Sequence, residues 1–94
     1  MSRIPFTARV AVPEGVLVRD LDGEAVALDL KTEKYYGLDQ SGTRFWVALN
    51  EAASIQAAFE LLLAEYDVEA ERLRGDLEQF ISKLVEHGLL VIRE

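Results

Sequence analysis

Lys34-Tyr35-Tyr36-Gly37-Leu38-Asp39 runs directly into Gln40-Ser41-Gly42-Thr43-Arg44-Phe45-Trp46-Val47-Ala48-Leu49. The first stretch is rich in aromatic residues and reads as a strand. The second reads as a helix: Asp39 suits an N-cap, and Gly42, Phe45, Trp46 and Leu49 fall at i, i+3, i+4 and i+7. A strand that ends a sheet and passes without a linker into a short buried helix decides the fold.

Upstream, Val16-Leu17-Val18-Arg19 and Glu24-Ala25-Val26-Ala27-Leu28-Asp29-Leu30 are strand-like runs separated by a turn containing Asp22-Gly23. A two-residue turn would pair Arg19 with Val26 and put Arg19 on the apolar face. A longer loop, with Gly23 left-handed in a bulge, pairs Val18 with Val26 and Val16 with Leu28. Because one face must be buried, the second register is expected. The next turn, Lys31-Thr32-Glu33, then places Leu28 opposite Tyr36 and Val26 opposite Leu38. Tyr36 and Leu38 point inward, Tyr35 and Gly37 outward. Glu33 takes the left-handed position, at about 1 kcal/mol relative to glycine.

Three helices follow. The first is capped by Asp39. Ser54 caps the second, which repeats Ile55, Ala58, Phe59, Leu62, Leu63 and Tyr66 on one face. Asp67 is the expected cap of the third, with Ala70, Leu73, Leu77, Phe80, Ile81, Leu84 and Val85 on one side. Gly88 after His87 suits a C-cap, and Leu89 to Ile92 returns as a short strand. Ala8 to Val12 forms a further short strand within an N-terminal arm, residues 1–13, expected to be loosely ordered. The fold class is α+β and winged-helix-like: a three-stranded antiparallel meander, then three helices, with short N- and C-terminal strands. Residues 1–94 are expected to form one domain.

Composition narrows the function. With 17 acids against 10 bases the formal charge is −7, which disfavours the basic stripe of a nucleic-acid binder. There is no cysteine, and the single histidine, His87, sits at a helix C-terminus where the helix dipole favours it. Ser41 and Ser54 lie at helix starts with no signature of an activating base. No phosphate-binding glycine loop and no His/Cys metal spacing occurs, so no catalytic residue, cofactor or metal is expected. No apolar run is long enough for a membrane span or a signal peptide, and the expected location is the cytoplasm.

The third strand of the meander has one neighbour, so its other edge, near residues 33–38, presents unpaired N–H and C=O groups. An extended peptide can add there by main-chain hydrogen bonds, with side-chain pockets giving selectivity. The candidate site is therefore Glu33, Lys34, Tyr35, Tyr36, Gly37 and Leu38 on the strand, with Leu73, Asp76, Leu77, Phe80 and Lys83 on the third helix as a second wall. Four backbone bonds at ~1 kcal/mol and two buried side chains at ~2 kcal/mol give roughly 8 kcal/mol gross, from which peptide ordering subtracts several.

From Tyr35-Tyr36-Gly37-Leu38-Asp39-Gln40-Ser41-Gly42 through Arg44-Phe45-Trp46, the chain resembles the PqqD-like family, with Asp39 where asparagine is usual. The resemblance continues through Leu62-Leu63-Ala64-Glu65-Tyr66-Asp67-Val68 and the Asp76-Leu77…Leu84…Gly88-Leu89-Leu90 ending, so it covers about residues 16–92. Glu33 departs from the glycine frequent in that hairpin.

The resemblance implies a recognition element that binds the leader of a ribosomally made precursor peptide, adding it to the third strand against the third helix. A free-standing domain of this size looks most like the recognition protein of lasso-peptide biosynthesis. That implies delivery to a separate leader peptidase or modifying enzyme without chemistry of its own. The peptide chaperone of pyrroloquinoline quinone biosynthesis is similar. A winged-helix DNA-binding module, or an adaptor that homodimerises through the open edge, are the other readings of the same fold.

Overall fold

The computed structural model describes residues 4–94; residues 1–3 of the N-terminal arm lie outside it. In chain order the elements are β1 (Arg9–Ala11), β2 (Val16–Leu21), β3 (Glu24–Asp29), β4 (Lys34–Gly37), α1 (Gln40–Glu51), α2 (Ile55–Glu65), α3 (Ala70–Glu86) and β5 (Val91–Arg93). The meander β2-β3-β4 forms one antiparallel sheet, and β1 pairs with β5 in a second. The fold is α+β, as the sequence indicates.

The register of the meander corrects the sequence reading. Arg19 lies opposite Val26, Val18 opposite Ala27 and Leu17 opposite Leu28. On the other side Ala27 faces Tyr36, Leu28 faces Tyr35 and Val26 faces Gly37. The β2-β3 turn is the two-residue Asp22-Gly23 connection, with both residues left-handed at φ 57° and 86°. That is the primed geometry matched to strand twist, and the Asp20 carboxylate accepts the Gly23 N–H at 2.9 Å.

The physical reason is room. The inward residues of β3 are Ala25 and Ala27, both buried, because α1 packs directly against this strand. Branched side chains there would hold the helix off the sheet. Val26 and Leu28 occupy the outer face, half-buried, beside the exposed Leu17 and Tyr35. On β2 and β4 the inward residues are the expected ones: Val16 and Val18 pack on the core, as does Tyr36, and Leu38 is buried.

Thr43, in the first turns of α1, ties helix to sheet. Its hydroxyl accepts the Ala25 N–H at 2.8 Å and points its proton to the Leu38 carbonyl at 3.4 Å. It is the one buried polar residue among the described ones. The ladder between β3 and β4 thus ends in a side-chain bridge.

Asp39 and Ser54 cap α1 and α2, accepting from Gly42 N–H and Ala57 N–H. The expected cap of α3 moves: the helix starts at Ala70 with Glu69 as N-cap, which makes no side-chain cap bond. Asp67 lies two residues too early, in the connection from α2. The negative charge that the helix start favours comes instead from Glu71 in the first turn. At the other end Gly88, at φ 74°, closes α3: its N–H reaches the Val85 carbonyl and the Leu89 N–H reaches that of Leu84.

The core is formed by Trp46 and Leu49 of α1, Ile55, Phe59 and Leu62 of α2, and Leu73, Leu77, Ile81 and Leu84 of α3. Ile4, Phe6, Ala8 and Val10 of the N-terminal arm are buried against it. The Phe6 and Ala8 carbonyls accept from Gln56 and Ile55 N–H, and the Arg74 guanidinium lies 4.1 Å from the Phe6 ring centre.

Two surface features carry predictions. Glu33 is left-handed at φ 60°, so Glu33→Gly is expected to stabilise the fold by about 0.5–1 kcal/mol, seen as a rise in Tm. Arg44 and Glu65 pair α1 with α2 at 2.6 Å. The hydrogen bond from Arg44 lowers the Glu65 pKa. Its small contribution is present above the unfolded carboxyl value and fades as pH falls through the depressed folded one. Glu65→Gln should flatten that part of the acid limb in a Tm-versus-pH series, and an unaltered limb would show that the pair contributes nothing there.

Candidate functional site

β4 has β3 on one side and an open edge on the other. The Leu38 N–H donates to the Ala25 carbonyl at 2.8 Å. Hydrogen-bonded pairs of an antiparallel ladder recur at every second residue, so Ala27–Tyr36 and Asp29–Lys34 are the others on this face. Tyr35 and Gly37 therefore turn their N–H and C=O groups outward. The edge offers four backbone groups in strand spacing.

Beside that edge lies a cleft of about 670 Å³ between β4, the start of α1 and one flank of α3. Tyr36 and Gly37 form the strand wall. Leu38, Gly42, Leu73 and Leu84 contribute to its lining and are all buried, so they form the floor. One end is aromatic: Phe45 meets Phe80 edge-on at 5.5 Å and Tyr66 edge-on at 6.3 Å between ring centres. At the other end Tyr36 packs on His87 at 5.2 Å, and the Lys83 ammonium lies 5.8 Å from the Tyr36 ring centre. β4 and α3 thus run in opposite directions along the cleft.

Gly42 has a packing reason. A Cβ there would come within 3.3 Å of Phe80 Cε1 and 3.2 Å of the Asp39 carboxylate that caps the helix. Gly42→Ala is expected to displace the Phe80 ring and narrow the cleft, read as altered Phe80 and Phe45 ring shifts in NMR. Unmoved ring shifts would show that the neighbours give way without disturbing the site.

The sequence-derived residues divide. Tyr36, Gly37, Leu38, Leu73, Asp76, Phe80 and Lys83 line the cleft. Tyr35 does not line it: its backbone groups face the open edge, and its side chain is 77% exposed on the outer face. The aromatic side chain on the strand wall is that of Tyr36. Lys34 is exposed at the strand's start, and Glu33 sits in the turn with its N–H bonded to the Asp29 carbonyl; neither lines the cleft. Leu77 is fully buried in the core, one helical turn along α3 from the lining residues Leu73 and Phe80 but facing away from the cleft's lining. Sequence reasoning passed over Phe45, Tyr66, Val68, Arg72 and Gln79. Arg72, Asp76, Gln79 and Lys83 recur at helical spacing, which was a legible signal.

The charges of the cleft are two acids, Asp39 and Asp76, and two bases, Arg72 and Lys83. Asp39 is engaged as a cap. Among the described residues no group of metal-ligating side chains gathers, and no helix is long and apolar enough to cross a membrane.

An open strand edge beside a helix-walled apolar cleft, on a winged-helix-like scaffold, defines a domain shaped for extended ligands. The chain belongs to the coenzyme PQQ synthesis protein D (PqqD) family, whose profile matches residues 24–90. Two solved structures are similar. TbiB1 in complex with the TbiA(beta) leader peptide is 33% identical, with 84% of this chain and 92% of that one covered and a TM-score of 0.79. Lasso peptide synthetase B1 complexed with the leader peptide is 23% identical, with 89% and 99% covered and a TM-score of 0.82, a likeness of fold. No curated protein matches the chain.

Proposed function

We propose that this protein binds the leader segment of a ribosomally synthesised precursor peptide by strand addition to β4, within lasso-peptide biosynthesis. It presents the leader to a separate leader peptidase or other modifying enzyme and performs no chemistry itself. The observation that carries the reading is the pair of outward-facing residues, Tyr35 and Gly37, beside the cleft. The similarity to TbiB1, whose structure contains a leader peptide, supports it.

Main-chain bonds supply affinity without sequence preference, and the aromatic end and leucine floor supply selectivity. Phe80→Ala is expected to lower affinity about ten-fold, the effect of removing one buried apolar wall. The direct test is an amide NMR titration with a synthetic leader peptide from a precursor gene beside this one. Shifts confined to residues 34–38 and the 72–83 flank of α3 are expected. An absence of shifts at hundred-micromolar peptide would overturn the reading.

The family profile supports a second reading, a peptide chaperone in pyrroloquinoline quinone biosynthesis. Titration with the precursor peptide of that pathway separates the two. An adaptor that homodimerises through β4 would show elution that depends on concentration in size-exclusion chromatography.

A further inference from the structure

Strand addition leaves one ambiguity that apolar contacts cannot remove. Side chains of a strand alternate, so a slip of one residue turns the apolar anchors away from the cleft, but a slip of two restores them. Something else must distinguish registers two residues apart. Arg72, Asp76 and Lys83 stand along the same flank of α3 and all line the cleft. Among the described residues the one ion pair is Arg44 with Glu65, so all three rim charges are available to a ligand.

We propose that this rim sets the register of the bound strand. It selects a segment with acids at two positions on one face and no acid between them. This rests on the strand-addition reading. Arg72 and Lys83 are separated by about 16 Å along the helix axis at 1.5 Å per residue. At about 3.4 Å per residue a strand covers that span in about four to six residues when both side chains share a face. Asp76 faces the position about two residues from the Arg72 end, where a neutral or basic side chain fits. A two-residue slip brings an acid opposite Asp76 and loses its pairing with Arg72 or Lys83.

The chain's charge of −7 does not override this. At physiological ionic strength charges beyond about 8 Å are largely screened, while rim contacts lie well inside that distance. Each matched position is expected to contribute about two- to five-fold in affinity, typical of exposed pairs.

The test is a positional-scanning library of acetylated twelve-residue synthetic peptides with alternating apolar residues, selected on the intact protein. Enrichment of Asp or Glu at two same-face positions, with Lys, Arg or neutral residues between, is expected. In Lys83→Glu the preference at one of those positions should invert to Lys or Arg while the other stays. In Arg72→Glu the inversion should occur at the other. Peptides enriched for apolar alternation without charge preference, or variants with unaltered profiles, would overturn the proposal and leave strand addition standing. No enrichment at all, with no shifts at residues 34–38, would overturn strand addition itself.

Discussion

Tyr35→Pro is expected to weaken leader-peptide binding about ten- to hundred-fold, the cost of a lost donor and an acceptor left facing a ring instead of an N–H. The fold should be little affected. Tyr35 and Leu28 form a non-hydrogen-bonded pair, so the Tyr35 N–H serves no bond within the sheet. Proline is tolerated at such edge positions. Tyr35→Ala is the control: it removes the exposed ring, keeps the N–H, and should leave affinity within about two-fold, as for most surface substitutions. Titration calorimetry on both variants, with circular dichroism to confirm folding, reads the difference. A folded proline variant that binds as tightly as the parent would exclude β4 as the receiving edge.

Thr43→Val should have the largest effect on stability. The change is nearly isosteric, so packing is preserved while the hydroxyl is lost. The buried Ala25 N–H loses its 2.8 Å acceptor and the Leu38 carbonyl loses a donor. Orphaned buried groups cost about 1–3 kcal/mol each. A loss of about 2–4 kcal/mol corresponds to a fall in Tm of roughly 10–20 °C for a domain of this size. Thr43→Ser keeps the hydroxyl and should recover most of it. A valine variant melting within two degrees of the parent would mean that the bridge is replaceable, by water or by a shift of α1. Because Leu38 lies on the cleft floor, the valine variant should also bind peptide less tightly.

What the sequence disclosed follows from which forces are local. Asp39 and Ser54 act on amides three residues away, so their caps were legible, and so was Gly88 with its left-handed turn. The inward faces of β2 and β4 followed from alternation. β3 was misread because size was taken as the mark of the core, whereas α1 approaches Ala25 and Ala27 too closely for larger residues. The Asp22-Gly23 turn carried the correct register, and its strong preference for a two-residue loop outweighed the burial argument. Each register was off by one residue, which cancels the reversed face of β3, so Val16, Val18, Tyr36 and Leu38 still pointed inward.

The site was legible to the same degree. Edge and helix were identifiable because each follows from one element's own pattern. The aromatic end was not, since Phe45 of α1, Tyr66 just past α2 and Phe80 of α3 meet only through tertiary packing. Leu77 lay at the middle of the apolar arc of α3 and was taken with the wall. The middle of such an arc is the deepest part of a core, and a ligand meets its margin. At the N-terminus, Ile4-Phe6-Ala8-Val10 alternate, and all four are buried. Periodicity was present there but brief.

The pairing of β1 with β5 bears on how the protein is made. Arg9 lies opposite Arg93 and Ala11 opposite Val91, while Leu89 and Leu90 are buried just before. A contact that joins residues near both ends of this stretch closes the longest loop available to it. During synthesis the N-terminal arm can dock once Ile55, Gln56 and Phe59 have emerged, but β1 has no strand partner until Val91–Arg93 follow. The meander and helices can form earlier, but the core is sealed only when Leu89 and Leu90 dock. A chain truncated before Leu89 should therefore be degraded far faster by a protease than one that includes Leu89 to Arg93.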